Sequence, residues 1–139
     1  MTPVKQTILS DEQKVIHGNC FSACLASLLD LPIEQVPYFY EPRILKIGWG
    51  KVLMEFLDKH GYSYEGYLTV TEHDQLTYRE QMLDHKGVDG YHIVGGPSPR
   101  GSKAGHAVIY KNAHPFFDPH PDETFIPRIE GVYLIERKK

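Results

Sequence analysis

The chain of 139 residues contains two cysteines, and their neighbours differ in what they allow each thiol to do. Cys20 follows Gly18-Asn19 and opens a run of small and apolar residues, so we expect it in the first turn of a helix, where unpaired backbone N–H groups and the helix dipole favour a thiolate. Cys24 lies one turn further into the apolar run, which is typical of a buried structural cysteine. A disulfide across one helical turn is geometrically awkward, so both thiols are expected to be free. The pattern predicts Cys20 as a nucleophile, with a buried structural role as the alternative.

A nucleophilic thiolate needs a general base, and histidine titrates closest to neutrality. Among eight histidines, His106 opens a predicted strand directly after a loop rich in Gly, Pro and Ser. Asp118 follows one hairpin later, where strand pairing would bring its carboxylate beside the imidazole to orient it. The sequence therefore predicts a Cys20–His106–Asp118 triad. We expect structural roles for His17, His60, His73, His85 and His92.

Two glutamines precede Cys20, and either side-chain amide could stabilise an oxyanion together with the backbone N–H of Cys20. Gln6 lies in an extended segment, whereas Gln13 lies in a polar stretch typical of an exposed first helical turn. We favour Gln6 and keep Gln13 as the alternative. Asn19 and Gly105, the neighbours of the nucleophile and the base, are predicted to bind substrate.

The segment from His114 to Asp122 contains two histidines and two aspartates, which are common metal ligands. Its prolines indicate a rigid turn, and its spacing matches no standard metal motif. We therefore expect neither a metal nor another cofactor.

The elements that must position these residues follow from the apolar patterns. Predicted helices start at or next to Cys20 and end at Pro32, run from Gly48 or Trp49 to about Lys59, and run from Leu76 to His85. Predicted strands are Tyr62–Val70, Tyr91–Val94, Ala107–Tyr110, Pro115–Phe117 and Val132–Ile135. The segment Gly95–Lys103 is expected to be an exposed loop, either a flap over the site or a loop without function. Helices in the first half and an antiparallel sheet in the second predict one α+β domain over 1–139.

Composition narrows the classes of partner. The net charge of −3 and the pI of about 6.2 provide no positive field for nucleic acid. Apolar runs are far shorter than the ~18 residues of a membrane span, and the first residues lack the features of a signal peptide. We expect a cytoplasmic protein whose partner is a peptide or protein substrate. Tyr38-Phe39-Tyr40 and Trp49 are expected to pack in the core or to line a cleft.

At these positions the chain resembles papain-like cysteine peptidases, and among them the compact bacterial peptidases that remove double-glycine leaders from bacteriocins. The matching residues are an upstream glutamine, Gly18–Ser27, Gly105–Tyr110 and Phe117–Pro119. The resemblance implies a papain-like fold and a cysteine peptidase activity with the order Gln–Cys–His–Asp. The chain departs from the leader-peptidase pattern at Asn19 and Phe21, where that group tends to have Asp and Gly. Gly18–Phe39 with Gly95–Asp118 also resembles small proteins of bacteria and their phages.

The sequence leaves three reactions open for this predicted triad. The triad would hydrolyse a peptide, isopeptide or other amide bond, or transfer the acyl group to an amine, or deamidate a glutamine, since only the acceptor differs. The alternative from another class is a catalytically silent module that uses the cleft to bind a host protein or peptide.

Overall fold

Four α-helices and a five-stranded antiparallel sheet form the fold of the residues that the computed structural model describes, which are 1–70, 75–101 and 104–139, with 75–78 described by their backbone alone. The helices are α1 (Cys20–Leu29), α2 (Pro42–Ile47), α3 (Trp49–Lys59) and α4 (Gln75–Asp84), and a 3₁₀ turn covers Ile33–Gln35. The strands are β1 (Tyr62–Thr69), β2 (Tyr91–Pro97), β3 (Gly105–Lys111), β4 (His114–Phe117) and β5 (Gly131–Arg137). The predicted α+β class is confirmed. His73 lies outside the described residues.

The sheet has the strand order β1-β5-β2-β3-β4, and both of its faces are covered. Successive side chains of a strand point to opposite faces. Ala107 and Ile109 therefore join the core that contains α1 and α3, while Val108 and Tyr110 join a second core with Val70 and Met82. Because both faces of β3 are buried, the middle of this strand is a continuous run of apolar residues.

Helix α1 is the buried centre of the first core. Its residues from Ser22 to Leu29 are all buried, and it contacts β3 and β2. The helix ends before the predicted Pro32, because Asp30 adopts a left-handed conformation and its backbone N–H bonds back to the carbonyls of Ala26 and Ser27. The sheet thus holds the end of α1 that carries Cys20 near the start of β3.

Two local predictions were wrong or incomplete. Helix α2, with Pro42 at its first position, was missed because six residues are too few for an apolar period to emerge. The expected loop Gly95–Lys103 is incorrect in its first part, since Gly95–Pro97 continues β2 and pairs with Gly105–Ala107. A side chain at Gly96 would collide with the backbone carbonyl of Arg128, so this glycine permits close packing rather than a turn. Residues 102 and 103 of that segment lie outside the described chain.

None of the described helices combines the length and the apolar character that crossing a bilayer requires.

Candidate active site

Cys20 is the first residue of α1, and its thiol is free and half-buried. The backbone N–H groups of the first helical turn have no partner within the helix and favour a negative charge at this end. Cys24, by contrast, is completely buried, and burial, followed by the nearby Cys20 and Asp118, raises the pKa of its thiol. Of the two thiols, only that of Cys20 is accessible to a reagent or substrate.

The imidazole of His106 lies between a thiol and a carboxylate. Its Nε2 is 2.7 Å from Oδ1 of Asp118, and the Cys20 side chain lies close enough to the ring to raise the pKa of His106. Since Nε2 is occupied by the carboxylate, Nδ1 is the nitrogen left for the sulfur. Burial lowers the pKa of His106, but the hydrogen bonds and charges of Asp118 and Cys20 outweigh burial and raise it to about 9. The imidazole is therefore protonated at neutral pH.

The carboxylate of Asp118 is fully buried and has hydrogen bonds to both oxygens. Oδ1 accepts from His106 and from the backbone N–H of His120 at 2.9 Å, and Oδ2 accepts from the backbone N–H of Phe125 at 2.8 Å. Burial alone would raise the pKa of Asp118, but these three donors together lower it. The aspartate thus remains ionised and holds the imidazole in one orientation.

The N-terminal segment bridges the nucleophile and the Asp118 turn. Asn19, directly before Cys20, accepts hydrogen bonds from the backbone N–H groups of Thr7 and Ile8 at 3.0 and 2.8 Å. On the other side, the Lys5 ammonium donates to the carbonyl of Asp118 at 2.9 Å. These contacts fix the residue between them, Gln6, relative to both parts of the triad.

Gln6 is buried and contributes to a cleft with Cys20 and His106. Its Nε2 donates one hydrogen to the carbonyl of Ile8 at 2.9 Å, which leaves the second hydrogen of the amide for a ligand. Gln13 contributes to the same cleft, but it is exposed, and its stretch forms a turn closed by a bridge between Asp11 and Ile16 rather than a helical turn. Of the two glutamines in this cleft, Gln6 is thus buried and Gln13 is exposed.

The two predicted substrate-binding residues differ in their surroundings. The side chain of Asn19 is buried, and it forms hydrogen bonds with Thr7 and Ile8. Gly105 is exposed and lines the clefts on both sides of Cys20 and His106.

Two clefts meet at the thiol. A polar cleft of about 430 Å³ contains Gln6, His120 and Arg100 on one side of Cys20. A narrower one of about 180 Å³ is lined by the tyrosines Tyr40, Tyr67 and Tyr133, together with Phe21. It continues into an apolar pocket of about 290 Å³ with walls formed by Phe21, Phe39, Tyr40, Leu45, Trp49 and Tyr133.

The aromatic residues that the sequence left undecided divide between core and cleft. Phe39 is buried in the core, whereas Tyr40 and Trp49 are 46% and 41% exposed and line the apolar pocket. Tyr38 donates a hydrogen bond to the carbonyl of His17. Of the two clefts that Cys20 lines, one is therefore polar and the other aromatic.

Sequence reasoning missed His120 as a member of this site. Its ring is 6.1 Å from that of His106 in an edge-on arrangement, its backbone N–H bonds to Asp118, and its ring lines the polar cleft. The position of His120, two residues after Asp118, could have indicated this role. It was instead considered only as part of the His114–Asp122 segment, as a possible metal ligand. In that segment, the Asp122 carboxylate instead pairs with Arg100 at 2.9 Å.

Comparison with protein-family models, curated proteins and solved structures found no match to this chain.

Proposed function

We propose that this protein is a cysteine hydrolase of the papain-like class that cleaves a peptide, isopeptide or other amide bond. The observation that carries the proposal is the position of the His106 imidazole, 2.7 Å from the Asp118 carboxylate and close enough to the Cys20 side chain for Cys20 to raise its pKa. Cys20 itself lies at the head of a buried helix and lines two clefts. The order Gln–Cys–His–Asp along the chain and the packing of α1 on the strand that carries His106 support the papain-like assignment.

The first half of the reaction forms a thioester. The Cys20 thiolate attacks the carbonyl carbon and forms a C–S bond, and the electron pair of the carbonyl moves to its oxygen. The backbone N–H of Cys20 and the free amide hydrogen of Gln6 stabilise that oxyanion. His106, which is protonated because its pKa is about 9, transfers its proton to the departing nitrogen as the C–N bond breaks.

The second half returns the enzyme to its starting state. Neutral His106 takes a proton from water as the water oxygen attacks the thioester carbonyl. The C–S bond then breaks, and the thiolate leaves next to the newly protonated imidazole. The product is a carboxylic acid, and Asp118 keeps the imidazole oriented through both steps. A reducing cytoplasm, which we propose as the compartment, would keep both thiols free.

A peptide library tests the proposed activity. Incubation of the protein with a library of random peptides in H₂¹⁸O is expected to give new carboxyl termini that carry ¹⁸O, detected by mass spectrometry. Products joined to an added amine, or glutamines converted to glutamates without chain cleavage, would assign the site to acyl transfer or deamidation instead. Peptides that bind without any covalent change would contradict catalysis and support the silent binding module.

Gln6→Ala is expected to lower kcat roughly 10²–10³-fold with little change in KM, because the amide stabilises an oxyanion that forms only when the thiolate attacks and is absent from the bound substrate. The matched variant Gln13→Ala, at an exposed position on the same cleft, is expected to leave kcat within about twofold. Both are measured on a peptide from the library. The reverse pattern, with Gln13→Ala the more damaging, would assign the oxyanion role to Gln13.

A further inference from the structure

The narrower cleft at Cys20, which we call the aromatic cleft, contains one carboxylate. Its aromatic walls are Phe21, Tyr40, Tyr67 and Tyr133. Among the described residues that line it, none is a lysine or an arginine, and Glu130 is the one acidic residue. Glu130 lines neither the polar cleft nor the apolar pocket. A negative charge therefore lies beside aromatic rings at one side of the nucleophile.

The backbone of Glu130 is fixed where three strands meet. Its N–H donates to the carbonyl of Gly95 on β2 at 2.8 Å, and its carbonyl accepts from the N–H of Val70, directly after β1, at 2.9 Å. Glu130 itself directly precedes β5. The sheet thus sets the position from which the Glu130 side chain reaches the cleft.

Two paired glycines form the base on which the tyrosine rings of this cleft lie. Gly95 pairs with Gly131, and a Cβ at Gly131 would collide with the ring of Tyr67, so that ring lies against the backbone next to Glu130. The centroids of the Tyr67 and Tyr133 rings are 4.8 Å apart at an angle of 61°, which makes a corner of two aromatic surfaces. Burial, followed by the nearby charge of Glu130, raises the pKa of Tyr67, so its hydroxyl is neutral at neutral pH.

The carboxylate of Glu130 is exposed and lacks a cation from this chain. Within the described part of the chain it has neither an ion pair nor a side-chain hydrogen bond. Other acidic residues near the site differ in this respect, since Asp122 pairs with Arg100 and Glu123 pairs with Lys5. Glu130 is therefore available to pair with a cation of a ligand, and the net charge of −3 favours the approach of a basic peptide.

We propose that the aromatic cleft binds an arginine or lysine side chain of the substrate, next to the amide bond that Cys20 attacks. The faces of tyrosine and phenylalanine rings attract a cation, and the Glu130 carboxylate pairs with the same charge. This inference rests on the proposed hydrolase function and adds the class of side chain that the site selects.

The competing explanation is an uncharged side chain that contacts the aromatic walls alone. Such a side chain would leave the Glu130 carboxylate unpaired beside an apolar group. The neighbouring apolar pocket has no charged residue among its described lining residues and suits an uncharged side chain better. The two explanations differ in whether selectivity depends on the charge of the ligand and on Glu130.

The test is competition between matched libraries of random peptides. One fixed position holds arginine or its uncharged analogue citrulline in the first pair, and lysine or acetyl-lysine in the second. Mass spectrometry of the products gives the ratio of kcat/KM for the charged over the uncharged library. We expect a ratio of roughly ten at one fixed distance from the cleaved bond. Glu130→Gln should lower it roughly threefold, and about 1 M NaCl should lower it too.

Glu55→Gln is the matched control, because it makes the same change at an exposed position on α3 outside both clefts. It is expected to keep the ratio of the wild type. The Tm of both variants is measured to establish that each is folded. Cleavage with a ratio near one, or a ratio that Glu130→Gln leaves unchanged, would overturn the assignment of the cleft while the hydrolase function stands.

A binding experiment separates the cleft from the activity. If no library is cleaved, the hydrolase proposal is contradicted, and the same libraries are passed over immobilised Cys20→Ala protein. Retention of the arginine and lysine peptides that the added Glu130→Gln change abolishes would support the cleft. Equal retention of charged and uncharged peptides would overturn it.

Discussion

Replacing Cys20 by alanine is expected to abolish turnover, by roughly 10⁴-fold or more, while the chain still folds. The sulfur of Cys20 forms the covalent bond to the substrate carbonyl carbon, so no neighbouring group can substitute for it. Removal of one half-buried sulfur at the start of α1 is expected to cost about 1 kcal/mol or less of unfolding free energy. Peptide cleavage and urea unfolding measure the two effects separately.

Thiol labelling is the matched control for this prediction. Iodoacetamide is expected to modify Cys20 in the native protein and to leave Cys24 unmodified, because Cys24 is 0% exposed and burial raises the pKa of its thiol. Cys24→Ala should therefore retain labelling and activity, whereas Cys20→Ala should lose both. Equal labelling of the two cysteines, or full activity in Cys20→Ala, would remove the basis of the enzymatic assignment.

Asp118→Asn is expected to lower turnover roughly 10²–10⁴-fold and to shift the pH profile. The substituted side chain would place an amide N–H against a donor, since the two carboxylate oxygens of Asp118 accept hydrogen bonds from His106, His120 and Phe125. The loss of the negative charge also lowers the pKa of His106, which the carboxylate helps to raise. The alkaline limb of kcat/KM against pH, which reports the free enzyme and is expected near 9 in the wild type, should move to lower pH.

The same variant has a defined effect on stability against pH. The raised pKa of His106 means that its contribution is fully present below pH 6.5 and is lost as the pH rises through about 9. The lowered pKa of Asp118 means that its contribution is present above pH 3.8 and is lost as the pH falls through the folded-state pKa. In Asp118→Asn, the fall in Tm at low pH that comes from protonating Asp118 should disappear. The fall in Tm at high pH that comes from deprotonating His106 should become smaller. Both are measured from about pH 3 to about pH 10.

Asp84→Asn, at an exposed position at the end of α4, is the control for this charge change. It is expected to leave both the kinetic profile and the Tm profile close to those of the wild type. An unchanged alkaline limb in Asp118→Asn would contradict the assignment of that limb to the His106–Asp118 pair.

Much of the fold was predictable because its causes are local. Small apolar residues after Gly18-Asn19 predicted a buried helix that starts at or next to Cys20, and α1 begins at Cys20. The apolar stripe predicted a helix from Gly48 or Trp49 to about Lys59, and α3 spans Trp49–Lys59. Alternating and continuous apolar runs predicted the strands, although their ends differed by a few residues. Such periodicities depend on neighbours within one or two turns, and the sequence contains those neighbours directly.

Roles that depend on distant partners were not predictable in the same way. In the sequence, Asn19 is only the neighbour of the nucleophile. In the structure its side chain accepts hydrogen bonds from the backbone of Thr7 and Ile8, and these bonds fix the segment that contains Gln6. Gly95-Gly96 reads as a loop, but its backbone pairs with β3. Nothing in the spacing of Glu65, His85 and Glu136 predicts that the His85 imidazole lies beside both carboxylates, because strand pairing and a β-bulge at Glu65 bring these residues together.

The sequence by itself determined the helix that presents Cys20, the strand types and the choice of chemically capable residues, since these follow from side-chain chemistry and local backbone preference. Tertiary structure alone decided that the His106 imidazole reaches both the thiol and Asp118, that Gln6 rather than Gln13 is buried beside them, and that His120 joins the site. The physical reason is that such contacts arise from the packing of α1 against the sheet and from strand pairing, which join residues far apart in the chain.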